Sequence, residues 1–346
     1  MSSPDPFLVR LLFAATHGDG AKETLALRRG AASGELVRLH RGVYGERAEV
    51  ERLDARGRHV VLCRAVSAGL DPSAVVSHAS AAAVWDLPRI VDPDDVVDVV
   101  DPRRERVRRS THLRRRPGAV PDHDERRVGD LSVTSLERTA VDVALTAGFA
   151  AAVLCLDGVL RRLVLPRGHE HGLGTDRRLQ ETRAALSSRL GGEGRRGGVA
   201  ARRALAFASP WAENGGESLL RLVLHELGVG EMSLQREFRR DGRLAGRVDV
   251  FLEQHRTAVE LDGFDKLTDP EMLGARSPAA AARDQNRRDQ RLLMVPEVRH
   301  VVHCEYGDIV VPERLAGLLV RAGVPLDPRR IQAAVRAAAR RFAAHP

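Results

Sequence analysis

Two short runs in the last third of the chain constrain its fold more than any other feature. In Arg247-Val248-Asp249-Val250-Phe251-Leu252, residues Val248, Val250 and Leu252 share one face at the two-residue period of a β-strand, and Asp249 takes the other. In Ala258-Val259-Glu260-Leu261-Asp262, Val259 and Leu261 share a face while Glu260 and Asp262 lie opposite. Glu253 to Arg256 remain for the turn. A hairpin symmetric about Gln254 and His255 sets Asp249 directly across from Glu260, with Cβ atoms about 5 Å apart, where like charges repel. Just upstream, Leu220, Val223, Leu224 and Leu227 mark the buried stripe of a helix, and Glu217 points with that stripe. A carboxylate facing a core has to be satisfied there.

A sheet that gathers acids on one face calls for a counter-charge. A hard divalent cation, Mg²⁺ or Mn²⁺, prefers such clustered carboxylate oxygens and keeps several waters. Asp249, Glu260 and Asp262 are the candidate metal ligands, with Glu217 assisting. Of the 55 basic residues only Lys22 and Lys266 are lysines, and Lys266 follows this cluster closely. A lysine proton can be tuned where an arginine proton cannot. Lys266 could therefore orient or deprotonate an attacking water, or stabilise charge developing on a phosphate. The candidate catalytic set is Asp249, Glu260, Lys266, Glu217 and Asp262, and the reaction it suggests is metal-assisted hydrolysis of a phosphodiester. The competing reading at the same place is a structural ion-pair network.

Composition narrows the partner. The formal net charge of +8 favours a polyanion. A membrane is disfavoured, because the longest uncharged run, Val143 to Leu156, is too short to span a bilayer and is bracketed by Asp142 and Asp157. Aromatics make up only 3%, so base stacking is not the expected main contact with nucleic acid. Cys63, Cys155 and Cys304 are far apart and odd in number, as expected of core thiols in a cytoplasmic protein, and the N-terminus lacks the order of a signal peptide.

The 346 residues suffice for two or three domains. Residues 7 to 46 suggest three short helices, with Leu8, Leu11, Leu12 and Ala15 at helical spacing, Gly30 separating the second helix from a third around Ala31 to Val37, and a β-like wing at Arg38 to Gly45. That order is a winged helix-turn-helix or a plain three-helix cap. The middle region suggests helices near 56–69, 78–85, 135–147 and 149–162, with β-like runs at Asp94–Val100, Arg106–Leu113 and Leu131–Thr134. Residues 101 to 116 carry eight arginines against Asp101 and Glu105, either a phosphate-neutralising stripe or a solvated hairpin face. The expected DNA contacts are Arg38, Arg41, Arg103, Arg104, Arg114, Arg115, Arg116 and Arg287. Gly192 to Gly197 spells GxGxxG, but a helical run precedes it where the dinucleotide fingerprint needs a strand. His169 and His171 lack further ligands and read as solvated. From Asp327, Ile331, Val335 and Ala338 predict a packed terminal helix.

The run Leu39-His40-Arg41-Gly42-Val43-Tyr44 resembles the winged-helix start of AbiEi-type antitoxins, and Ser77 to Leu87 and Thr134 to Asp142 resemble the segments that follow, over about the first 160 residues. From roughly 210 to 323 the chain is similar to the PD-(D/E)XK nuclease core, and more narrowly to proteins related to very-short-patch-repair endonucleases. Glu217, Arg247, Asp249, Glu260, Asp262, Gly263, Lys266, Arg287 and Asp289 occupy the positions of its motifs. Asp262 stands where that core places its lysine, so Lys266 would act from a displaced position. The resemblance implies an α/β protein: winged helix-turn-helix at 1–50, α+β middle domain at 51–165, linker and helix at 166–209, endonuclease-like mixed sheet flanked by helices at 210–325, and a C-terminal helix at 326–346. It implies DNA as partner and a Mg²⁺ or Mn²⁺ nuclease, with Arg287 and Asp289 supporting the site or binding backbone. The alternative is a non-catalytic DNA-binding regulator of a toxin-antitoxin system, partnered by a cognate toxin.

Overall fold

A computed structural model describes residues 4–14, 21–90, 96–165, 173–192, 194–262 and 278–342. The fold is mixed α/β and helix-rich. It divides into two compact units, one of residues 2–159 and 180–207, the other of 160–179 and 208–346.

The first unit opens with β1 (Leu12–Phe13), α1 (Ala21–Ser33), β2 (Leu36–His40) and β3 (Val43–Glu46). These strands form a sheet in the order β1-β3-β2, with Leu12 opposite Tyr44 and Phe13 opposite Val43. This corrects the three-helix reading of residues 7–46, where the described residues hold one helix. Leu12 and Phe13 pair with a strand instead of building a helix, and Leu8 is left 79% exposed. A few apolar residues at helical spacing do not outweigh an available strand partner. Gly30 lies inside α1, because the Leu36 side chain packs where a Cβ would sit, 2.9 Å away. The helix expected at Ala31–Val37 is instead the end of α1 followed by β2.

Next come α2 (Arg47–Glu51), α3 (Ala55–Ser67), β4 (Val75–Val76), α4 (His78–Val84), β5 (Val97–Asp101), β6 (Arg108–Ser110), β7 (Leu113–Pro117), β8 (Glu125–Val128), β9 (Leu131–Thr134), α5 (Leu136–Thr146) and α6 (Phe149–Val164). The strands β4–β9 form a mixed sheet in the order β6-β7-β5-β4-β9-β8. Arg106–Leu113 is not one strand: β6 ends at Ser110, which pairs with Leu113 across a two-residue turn. Asp54 caps α3 by accepting from the Gly57 amide at 2.6 Å, and Ser135 caps α5 through Arg138. Val60, Cys63, Val66, Val97, Val99, Leu131 and Val133 form the core between α3, α4 and this sheet. Helices α7 (Leu173–Arg189) and α8 (Gly198–Phe207) follow.

The second unit contains α9 (Gly215–Leu227), β10 (Met232–Arg240), β11 (Arg243–Leu252), β12 (Thr257–Asp262), α10 (Pro278–Leu293), β13 (His300–Glu305), α11 (Tyr306–Val310), α12 (Pro312–Arg321) and α13 (Pro328–Phe342). Its sheet runs β10-β11-β12-β13, antiparallel up to β12 and parallel between β12 and β13. The hairpin register pairs Val250 with Val259 and Leu252 with Thr257, which is the symmetry expected about Gln254 and His255. Phe238 and Phe251 meet edge to face at 4.9 Å between centroids, and Leu292 and Val295 of the α10 region close the core over them.

Candidate functional site: a carboxylate cluster in the second unit

Glu217 is fixed by the start of α9. Asn214 is the N-cap, and its Oδ1 accepts the Glu217 amide at 3.0 Å. The Glu217 carboxylate reaches back to accept from the Glu213 amide at 2.7 Å and from Asn214 Nδ2 at 2.8 Å. This is the reciprocal logic of a capping box. It explains how a side chain with only 5% of its residue surface exposed remains satisfied. Gly216 allows the close approach, since a Cβ there would lie 2.8 Å from Leu261 on β12.

Gln235 ties this helix end to the sheet. Its Nε2 donates to Glu217 Oε2 at 3.0 Å and to Asp249 Oδ1 at 3.2 Å. Gln235 is 1% exposed and sits at φ +50 within β10. A non-glycine residue held in the left-handed region costs of order 1–3 kcal/mol and marks a place where the surroundings dictate the backbone. Asp249 Oδ2 accepts the Leu261 amide at 2.9 Å, so its carboxylate spans from β11 to β12 beside Glu260. Glu260 is 5% exposed and receives Arg288 of α10 in two bonds, Nη2 to Oε1 at 2.9 Å and Nη1 to Oε2 at 3.2 Å. The same guanidinium group donates to the Arg247 carbonyl.

Burial and the neighbouring Asp249 charge push both Glu217 and Glu260 up to about 7, against the pull of their hydrogen bonds.

Asp262 belongs to a second network. His303 on β13 lies between two aspartates, Nδ1 to Asp262 Oδ2 at 3.0 Å and Nε2 to Asp289 Oδ2 at 2.9 Å. Gln285 Nε2 lies 3.3 Å from both Asp262 oxygens. The hydrogen bond to Asp262 and the charges of both aspartates push the His303 imidazole up to about 9, so it is protonated at neutral pH. Asp289 Oδ1 is buried without a hydrogen-bond partner among the described residues. A cleft of about 440 Å³ opens beside Asp262 and His303.

The structure therefore brings Glu217, Asp249 and Glu260 together and assigns Asp262 to the adjoining histidine network. Lys266, with Gly263, lies outside the described residues. Arg287 points away: it is 72% exposed and pairs with Asp284 at 3.7 Å, while its neighbour Arg288 enters the cluster. Arg247 pairs with Glu213 at 3.0 Å.

Most of the expected DNA-contact arginines are counter-ions. Asp98 and Asp101, each 2% exposed, take Arg114 (3.3 Å), Arg116 (2.8 Å), Arg104 (3.4 Å) and Arg115 (3.4 Å), and Arg103 pairs with Asp71. The strand period explains the sorting. Asp98 pairs with Arg114 in the parallel register, Arg114 and Arg116 share its face, and Arg115 shares the face of Asp101. Arg38 and Arg41 are exposed, as are Arg106 and Arg108.

Gln235, Gln285, Arg288 and His303 escaped the sequence reading. Arg288 adjoins a recognised motif residue, but the contacts of the other three cross strands or helices and leave no periodic trace. The acids of the cluster offer carboxylate oxygens, the kind a hard divalent cation prefers, and the buried Asp289 Oδ1 nearby has no hydrogen-bond partner among the described residues. Among the described residues no group of three or more His, Cys, Asp or Glu side chains stands in a metal-holding arrangement. No protein-family model matches the chain, and no curated protein or solved structure matches it. No helix among the described residues is long and apolar enough to cross a membrane. The three cysteines are buried and unpaired, with Cys304 donating to the Glu260 carbonyl at 3.4 Å.

Proposed function

We propose that the second unit is a divalent-cation-dependent phosphodiesterase acting on DNA. The observation that carries this reading is the placing of Glu217 and Glu260 on either side of Asp249, with burial and the Asp249 charge pushing both glutamates up to about 7. Asp249 and Glu260 would hold Mg²⁺ or Mn²⁺, with Glu217 contributing through Gln235. A cation there supplies Lewis acidity toward a phosphate ester. Protonated His303, held between Asp262 and Asp289, fixes the Asp262 carboxylate at the sequence position where the nuclease core would carry its lysine. Lys266 is the further candidate to orient the attacking water. The nuclease-like domain, an N-terminal DNA contact through Arg38 and Arg41, and a cytoplasmic location belong to the same proposal.

The Arg288–Glu260 pair favours a second reading. A guanidinium already neutralising Glu260 suits an inactive scaffold, and the chain would then be a DNA-binding regulator paired with a toxin. One experiment separates the two. Plasmid, linear and single-stranded DNA are incubated with Mg²⁺ or Mn²⁺ and with wild type, Asp249→Asn, Glu260→Gln or Lys266→Ala. The hydrolytic reading expects cleavage by wild type that the first two variants lose. Activity equal in all four proteins, or absent from all four, sinks it and leaves the regulator.

A further inference from the structure

The GxGxxG run that failed as a dinucleotide fingerprint builds something else. A cleft of about 570 Å³ in the first unit is lined by Arg116, Arg138, Arg195 and Arg196, together with His78 and a single carboxylate, Asp142. Four guanidinium groups thus face one acid.

They are not equivalent. Arg116 is locked to Asp98 at 2.8 Å and Arg138 to Asp142 at 2.9 Å, both acids being buried. Arg195 donates to the carbonyls of Arg189 and Leu190, and neither it nor Arg196 forms an ion pair among the described residues. The segment that carries them is anchored by Gly197. Its φ is +79, and a Cβ there would fall 2.1 Å from the Leu145 carbonyl oxygen. Only glycine allows that approach, so the loop holds Arg195 and Arg196, without an ion pair among the described residues, beside the two fixed arginines. His78 is 7% exposed, and burial with the nearby arginines keeps its ring neutral, well below its usual range.

The volume falls in the range of small-molecule sites, about 300–1,000 Å³, and exceeds what a bare inorganic anion fills. Val100, Val107 and Leu145 supply an apolar wall, and no aromatic side chain lines the space. Guanidinium forks match phosphate oxygens in paired hydrogen bonds.

We propose that this cleft binds a phosphomonoester bearing an organic group, with Arg195 and Arg196 closing on the phosphate against Arg116 and Arg138. The source is either a free nucleotide or the 5′-terminal nucleotide of a DNA strand.

The test titrates the full-length chain, without divalent cation, with AMP, a 5′-phosphorylated hexanucleotide and the same hexanucleotide with a 5′-hydroxyl. The phosphorylated oligomer or AMP is expected to bind at least about tenfold more tightly than the hydroxyl form, because the guanidinium groups make charge-assisted bonds only to the phosphate. Arg195→Ala/Arg196→Ala should lose that preference while keeping the wild-type circular dichroism spectrum and a cooperative melt, and Arg38→Ala/Arg41→Ala should keep the preference. Binding of AMP identifies a free nucleotide as the source, and binding of the oligomer alone identifies a strand end. No binding of AMP together with equal affinity for both oligomers, or phosphate-ester binding unaltered in the Arg195/Arg196 variant, overturns the proposal whatever the nuclease assay shows.

Discussion

Arg288 meets Glu260 with both terminal nitrogens, at 2.9 and 3.2 Å, while the adjacent Arg287 points away from the cluster and stays 72% exposed. One turn-angle of helix α10 separates a counter-ion from a surface charge. The pair also makes Arg288 the competitor of any cation that Glu260 would bind.

Replacing Arg288 with alanine tests that competition. Removing one partner of a buried pair strands the other charge, at a cost of up to about 3–5 kcal/mol, and the one-third exposure of the Arg288 side chain points to the lower end. The melting temperature should fall without metal and recover substantially with millimolar Mn²⁺. A loss that Mn²⁺ does not touch would argue against a cation at Glu260.

Stability should decline as pH rises. Glu217 and Glu260 have folded values near 7, above their ordinary 4.5, so the fold favours their protonated forms. That contribution is fully present below about pH 4.5 and is lost as pH rises through about 7. Thermal denaturation from about pH 5 to about pH 8 should show the decline, and Glu217→Gln should reduce it. Mn²⁺ affinity should increase over the same interval, because protons and cation compete for the same oxygens.

His303 acts higher on the scale. Its folded value of about 9 lies above the ordinary 6.5, so its stabilisation is complete below 6.5 and lost as pH passes about 9. An NMR titration of the imidazole should place the midpoint near 9 in wild type. Asp262→Asn should lower it most, with Asp289→Asn lowering it less. A midpoint near 6.5 in wild type would show that the two aspartates do not hold the proton on His303.

The arginines should divide into two groups. Arg116→Ala uncovers buried Asp98 and should destabilise the fold by about 1–3 kcal/mol in a denaturant titration. Arg41→Ala should leave stability within about 0.5 kcal/mol and weaken DNA retention, with a shallower dependence on salt. An unchanged salt slope would take Arg41 out of the interface.

What the sequence disclosed follows from the range of the signals. The hairpin register is set by a two-residue period and a four-residue turn, and it could be read from residues 247–262 alone. Helices α3 and α5 likewise carry their own N-caps, Asp54 and Ser135, next to the residues they cap. Residues 12–13 were misread because their conformation depends on Val43 and Tyr44, thirty residues away. Strand β10 was missed as a strand: its polar run Gln235-Arg236-Glu237 lacks the alternation of β11, and Gln235 abandons extended geometry to reach two acids. The carboxylates were visible as residue types. Their partners were not, because Arg288 and His303 arrive from later elements after long connections.

Strand β13 is the outermost strand of its sheet, and it covers the whole hydrogen-bonding edge of β12 from Thr257 to Asp262. A chain cut short before residue 300 would expose that row of amides and carbonyls, backed by the wholly buried Ala258 and Val259. Such an uncapped rim recruits strands from other molecules. Nascent or clipped forms of this protein should accordingly self-associate, and the last forty-odd residues safeguard solubility as much as they complete the fold.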